Sequence, residues 1–146
     1  MKKSEIKSGV KIILQSISNF RGQLDDILQP IDDIREHLEA IRNIQDEYGL
    51  DCTVDLEEVE RDLIINLIEE NSYFEEINNS FDYIVSDLEN WMEDVSETKQ
   101  EQIQEEYIDV LEELRTNIDM SEVYDKDSLD DMLIGVENAI EESGLI

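Results

Sequence analysis

An all-α fold, an elongated bundle of antiparallel, coiled-coil-like helices, is predicted by three features of the sequence. Apolar residues recur at alternating three- and four-residue steps over long stretches, and no alternating strand pattern competes with them. Turn formers are scarce, with five glycines and one proline in 146 residues. With 40% hydrophobic and 35% charged residues, the chain has the aliphatic content of a packed domain and not that of a disordered acidic tail. A chain of this length buries a sizeable core as one domain spanning 1–146.

The first element is read from Val10, Ile13, Ile17, Phe20, Leu24, Ile27, Ile31, Ile34, Leu38 and Ile41, a heptad-like seam. Its phase survives Gly22 and Pro30, so one long helix over about 4–48 is expected, kinked near Pro30. Gly49 ends it, and 49–54 forms the connection. Asp55 followed by Glu58 has capping-box spacing and opens a second helix. The seam of that helix runs Leu56, Val59, Leu63, Leu67, Phe74, Ile77, Phe81, Ile84, Leu88, Trp91 and Val95, with a local break possible at Asn71, where Ser72 and Glu75 repeat the capping spacing. A polar stretch then places a turn near 96–98. A third helix reaches about Ile118 and buries Ile103, Tyr107, Val110, Leu111, Leu114 and Ile118. Residues 119–127 form a polar connection, and Asp127 or Ser128 caps a short final helix carrying Leu129, Met132, Leu133, Val136 and Ile140. No tandem repeat is present.

Charge is the second organising feature. Forty acidic residues against 11 basic give a net charge of −29. Residues 1–43 are neutral, seven basic against seven acidic, so the whole excess sits on 44–146, where Arg61, Lys99, Arg115 and Lys126 are the only lysines and arginines. The acidic helices are therefore expected over 55–146, beside a neutral helix over 1–48. Such self-repulsion destabilises a compact state and exceeds what solubility requires.

The carboxylates also form ladders. Glu101, Glu105, Asp109 and Glu113 stand at successive i, i+4 steps, with Glu106 and Glu112 beside them. Glu89, Glu93 and Glu97 extend the ladder if the preceding helix runs on. Glu69, Glu70, Glu75 and Glu76 add a second group. Like charges at this spacing each cost a few tenths of a kcal/mol, where alternating signs would gain as much. A continuous helix over 55–95 would carry 14 carboxylates on roughly 60 Å, and two such helices side by side would bring one charge per ~2–2.5 Å, against one per ~1.7 Å of duplex DNA.

In this composition and these ladders the chain resembles the acidic, helical DNA-mimic proteins that phages use against restriction enzymes or CRISPR nucleases. The resemblance covers mainly residues 44–146 and rests on charge pattern alone, with no motif. It implies a non-enzymatic inhibitor that blocks the basic DNA- or RNA-binding groove of a nuclease or other defence protein through the ladder residues above. Two other readings stay open: an immunity or antitoxin protein neutralising a basic nuclease toxin through a compact patch with aromatic anchors, and a structural coiled-coil protein that oligomerises, for example as a homodimer, through its neutral N-terminal helix. Tyr73 and Tyr83, just off the second seam, are anchors if exposed.

Other chemistries find little footing. His37, the single histidine, has no Glu three residues before it, so a di-iron bundle site is not expected. Asp125–Asp131 lacks the glycine and the final glutamate of a calcium loop, and helix capping explains it better. One histidine, a lone Cys52 among acidic neighbours and no glycine-rich phosphate loop leave no catalytic constellation, and neither metal nor cofactor is expected. Direct nucleic-acid binding is disfavoured by the net charge, although Lys3, Lys7 and Lys11 form a basic stripe that more often pairs with a protein's own acidic helices. The longest apolar runs, Ile12–Leu14 and Leu63–Ile65, are too short to span a bilayer, and no signal core is apparent. A cytoplasmic, membrane-free protein is expected.

Overall fold

Apolar periodicity is answered by helices throughout the computed structural model, which describes residues 1–50 and 55–146; of the expected 49–54 connection, residues 51–54 with Cys52 lie outside the described residues. Among the described residues there are α1 (Lys3–Ile27), α2 (Gln29–Tyr48), α3 (Leu56–Glu69), α4 (Ser72–Glu93), α5 (Glu97–Ile103), a π-turn (Gln104–Ile108), α6 (Asp109–Thr116), a 3₁₀ turn (Met120–Glu122) and α7 (Lys126–Glu142), and no strand. No helix among them is long and apolar enough to cross a membrane.

The first helix is two helices. Pro30 has no N–H to offer the Asp26 carbonyl, and the chain breaks two residues earlier, at Leu28 (φ −94°, ψ 5°). Ile31 N–H then bonds to the Leu28 carbonyl at 3.0 Å and starts α2. The break turns Leu28 into the core at 5% exposure, a position outside the predicted seam. At the far end Gly49 takes the left-handed conformation (φ 61°) that terminates α2, as the sequence indicated.

The expected 55–95 helix also divides. Asp55 caps α3 by accepting from Glu57 N (3.0 Å) and Glu58 N (3.3 Å), whereas Asn71 caps α4 by accepting from Tyr73 N at 2.9 Å. Within α4 the reading of the seam holds, since Phe74, Ile77, Phe81, Ile84 and Leu88 are all buried. Within α3 it is one residue out of register: Ile64 and Ile68 are buried, while Val59 and Leu63 remain exposed.

Four helical segments close a ring around one core: α1 packs on α4 and α7, α4 on α5 and α6, and α6 on α7. Ion pairs and caps show the directions. Arg21 meets Asp130 (2.8 Å) and Glu137 (3.3 Å) while Lys126 meets Asp25, so α1 and α7 are antiparallel. Asp130, and then Glu137, hold the Arg21 guanidinium further toward its charged form. The α2–α3 pair stands apart from this ring, joined to it through α1 and α4, and Ile31 is the only buried residue of α2. Beyond α6 the expected polar connection contains a buried residue, Val123. Asp125, not Asp127 or Ser128, caps α7, exchanging hydrogen bonds with Ser128, and the helix runs for 17 residues.

Small residues set the α1–α4 spacing. Ser16 and Ser80 share a buried hydrogen bond of 2.8 Å, and a Cβ on Gly9 would lie 2.7 Å from Ile84 Cδ1 and 3.3 Å from its Cβ. Gly22 and Gly135 are different: they sit inside α1 and α7, and a Cβ there meets nothing within 4 Å. Gly22→Ala and Gly135→Ala should each raise stability by about 0.5–1 kcal/mol, because only backbone freedom of the unfolded chain is lost. Gly9→Val should lower it by about 2 kcal/mol through overpacking. Urea titrations of the three variants check both signs, and a stabilising Gly9→Val would show that α1 and α4 are not in close contact.

Candidate interaction surface

The turn at 94–96 decides where the carboxylates go. Ser96 caps α5 by accepting from Lys99 N at 3.4 Å, so the chain reverses and α5 does not continue α4. Gln100 Nε2 donates to the Met92 carbonyl (2.9 Å) and the Val95 carbonyl (3.2 Å) and pins the corner. Lys99 lies over the Trp91 ring, 5.2 Å from its centroid. Farther along, Arg115 on α6 donates to the Asn78 carbonyl at 2.7 Å and to Asp82 on α4. The segment α5–α6 therefore runs back antiparallel along α4.

The turn expected near 96–98 is present, so Glu89 and Glu93 do not extend the ladder in a straight line, and it folds back at this corner. Glu89 and Glu93 on α4 line one shallow groove over Met92, Gln100 and Gln104, and Glu97 and Glu101 on α5 line an adjoining one that shares those three residues. From that corner Glu101, Glu105, Asp109 and Glu113 continue along α5–α6, all exposed. The π-turn contributes here. Asp109 N–H bonds to the Gln104 carbonyl, an i→i−5 bond, so one extra residue enters the turn. Each i, i+4 step on an α-helix advances about 40°, and the wider turn offsets part of that drift. Gln104 Nε2 donates to Asp109 at 2.7 Å and Gln102 Nε2 to Glu106 at 3.2 Å, holding two carboxylates in place without neutralising them.

The π-turn also rearranges the buried face. Ile103, Ile108, Leu111 and Leu114 are buried, whereas Tyr107 and Val110, expected in the core, are half-buried. The five-residue gap from Ile103 to Ile108 fits no α-helical seam, which is why a periodic reading passes over Ile108.

Glu69, Glu70, Glu75 and Glu76 are exposed at the α3–α4 junction, the opposite end of α4 from the corner. Of the predicted interaction residues, Glu112 alone is half-buried and in an ion pair, 3.9 Å from Arg115; the others are exposed and outside any ion pair among the described residues. Among the described residues four cations are paired within the fold, one of them, Arg115, inside the acidic segment itself. Arg21, Arg35, Arg115 and Lys126 bridge to Asp130 and Glu137, Asp32 and Glu60, Asp82 and Glu112, and Asp25. Lys3, Lys7 and Lys11 are exposed and make no ion pair among the described residues, contrary to the expected pairing with the acidic helices.

The 60 Å rod therefore does not exist, but a shorter two-helix segment of similar linear density does. Residues 72–116 carry Glu75, Glu76, Asp82, Asp87, Glu89, Glu93 and Asp94 on the α4 side and Glu97, Glu101, Glu105, Glu106, Asp109, Glu112 and Glu113 on the other, against Lys99 and Arg115 alone. Over the roughly 33 Å of α4 this is about one carboxylate per ~2.4 Å of length, within a factor of two of duplex DNA at ~1.7 Å. Among the described residues no cluster of three or more His, Cys, Asp or Glu is arranged to hold a metal ion. His37 is exposed on α2, and the Asp125 region is occupied by the α7 cap.

The aromatic candidates differ from one another. Tyr83 is 71% exposed and lines a groove with Ile12, Gly9 and Ile84 between α1 and α4, whereas Tyr73 is 38% exposed. No protein-family model, curated protein or solved structure matches the chain.

Proposed function

We propose that the protein is a non-enzymatic inhibitor that presents the α4 and α5–α6 carboxylates to the basic nucleic-acid-binding groove of another protein, a nuclease or defence effector being the natural target. The carrying observation is the antiparallel pairing of α4 with α5–α6: residues 72–116 carry fourteen carboxylates, of which Asp87 lines the groove toward α1, against two cations that both already face the protein's own groups. A strip of that density attracts a phosphate-binding cleft at long range, speeds encounter and weakens with salt. Its cost is borne by the fold, since the ladder side chains gain little from one another.

The test is competition. Immobilised protein exposed to an extract of nuclease-bearing cells at on the order of 50 mM salt should capture basic nucleic-acid-binding proteins and release them near 0.5 M salt. A short DNA duplex should release the same proteins at low salt. Captured proteins indifferent to the duplex would refute occupancy of a nucleic-acid groove.

The immunity reading is favoured by one observation, the exposed Tyr83 beside Ile12. In that case Tyr83→Ala would abolish capture and duplex would not compete.

A further inference from the structure

The apolar seam of α2 outlasts its burial. Ile31 is 3% exposed, but Ile41, Ile44 and Tyr48 are 44%, 50% and 69% exposed; on α3, Val59 and Leu63 are 36% and 37% exposed. These five make up half of the ten large hydrophobic residues exposed in the described chain. A 20-residue helix with one buried residue draws little from tertiary packing, the main source of helix stability in a folded protein. The periodicity that specifies a partner-facing stripe is present, and the ring of α1, α4, α5–α6 and α7 does not supply the partner.

Charge on the two helices is sorted by face. Arg35, Arg42 and Arg61, all their arginines, line a cleft on one side of the α2–α3 pair together with Glu57, Glu58 and Glu60. Within it Arg35 reaches Glu60 at 3.1 Å, and Arg61 donates to the Val123 carbonyl at 2.9 Å while stacking on Tyr124. At about 100° per residue, Ile41, Ile44 and Tyr48 project away from Arg35 and Arg42, and Val59 and Leu63 project away from Arg61. Because α2 and α3 pack antiparallel, Arg35 against Glu60 and Arg42 beside Asp55 and Glu58, the two apolar sets fall on one open face. Flanking that face are Asp33, Glu36 and Glu47 on α2 and Asp62 and Glu70 on α3, all exposed and outside any ion pair among the described residues.

We infer that this face is a docking site for an amphipathic helix of a basic partner, its apolar stripe seated on Ile41, Ile44, Tyr48, Val59 and Leu63 and its lysines or arginines meeting the acidic rim. Charge complementarity selects this occupant over a second copy of the chain, which would oppose the same rim to itself. The inference rests on the proposed function for the partner's basic character, and adds an apolar anchor at a separate place on the fold. Salt should therefore weaken, but not eliminate, binding at this face.

The probe is a labelled synthetic peptide of about 18 residues with leucines at i, i+3, i+4 and i+7 and lysines elsewhere, compared by anisotropy with a scramble of identical composition. At about 0.15 M salt the amphipathic peptide should bind the intact protein about tenfold or more tighter than the scramble. Ile41→Gln with Ile44→Gln should remove that preference, and so should Tyr48→Gln alone in lesser degree; all three positions are exposed, so the fold is retained and a melting curve verifies it. Equal binding of peptide and scramble would overturn the inference, as would full binding by the glutamine variants. A stable dimer in sedimentation that the glutamine changes dissociate, with no peptide binding, would also overturn it and assign the face to a second copy. Glu89→Gln, Glu93→Gln, Glu97→Gln and Glu101→Gln together should leave the peptide preference intact while weakening duplex-sensitive capture, which separates failure at this face from failure of the acidic strip.

Discussion

Phe81→Ala is expected to cost about 3–5 kcal/mol, a large part of the roughly 5–15 kcal/mol that holds an ordinary domain together. Phe81 is fully buried on α4, the helix that contacts α1, α3, α5 and α6, and the Arg115 guanidinium lies 5.3 Å from its ring centroid. Truncation leaves a cavity beneath the residue that ties α6 to α4, so the loss is felt by the acidic strip as well as by the core. A drop in melting temperature on the order of 10 °C or more should follow. Phe81→Leu, which keeps most of the volume, should cost far less. A loss under about 1 kcal/mol for the alanine variant would mean that the α4 seam is not a packed interface.

A similar measurement reads the register of α3. Ile64→Ala should cost about 2–4 kcal/mol and Leu63→Ala much less, because Ile64 is 2% exposed and Leu63 37%. That pair marks where sequence reasoning reaches its limit. The run Leu63, Ile64, Ile65 offers three apolar residues at successive positions, and a seam projected from Leu56 and Val59 selects the first of them. Packing on α2 and the ring selects the second. In α4 the choice is narrower: Asn78, Asn79, Asp82 and Asp87 separate most of the apolar residues, and the seam from Phe74 to Leu88 can be read directly, although Val85 beside Ile84 is buried as well.

Helix type and most ends were legible for the same reason. Gly49 and Asp55 are residues whose backbone or side chain suits one cap position; near 96–98 the turn was legible, but Thr98 with Glu101 showed the capping spacing and Ser96 is the residue that caps α5. The continuity of α1 with α2, and of α3 with α4, was not legible, because the heptad phase survives across Pro30 and across Asn71 whether or not the helix does. The π-turn was invisible for the opposite reason, since it breaks the period that was being counted. For the acidic residues, the polar run showed a turn near 96–98, but how tightly that corner closes, bringing Glu89 and Glu93 near Glu97 and Glu101, depends on Gln100 reaching the Met92 and Val95 carbonyls. That is a tertiary contact with no periodic trace.

Replacing the four glutamates of that corner by glutamine should move stability and association in opposite directions. At low ionic strength Glu89, Glu93, Glu97 and Glu101 gather like charge along two adjoining grooves, and none of them is in an ion pair among the described residues. Glu93 is the last residue of α4, where the carbonyl end of the helix dipole opposes an anion, while Glu97 opens α5, where the amide end favours one. Glu93→Gln alone should therefore stabilise, Glu97→Gln alone should destabilise slightly, and the fourfold variant should melt a few degrees higher than the parent. The difference should vanish toward 1 M salt, where the Debye length of about 3 Å screens the corner. Capture of a basic nucleic-acid-binding partner by the fourfold variant should fall by on the order of a hundredfold at low salt, four lost charge contacts each contributing to the salt-dependent affinity. Charges kept for the scaffold behave otherwise: removing them lowers the melting temperature and leaves association unchanged. That second outcome would make the corner part of the protein's own architecture and would remove the strip from the proposed interface.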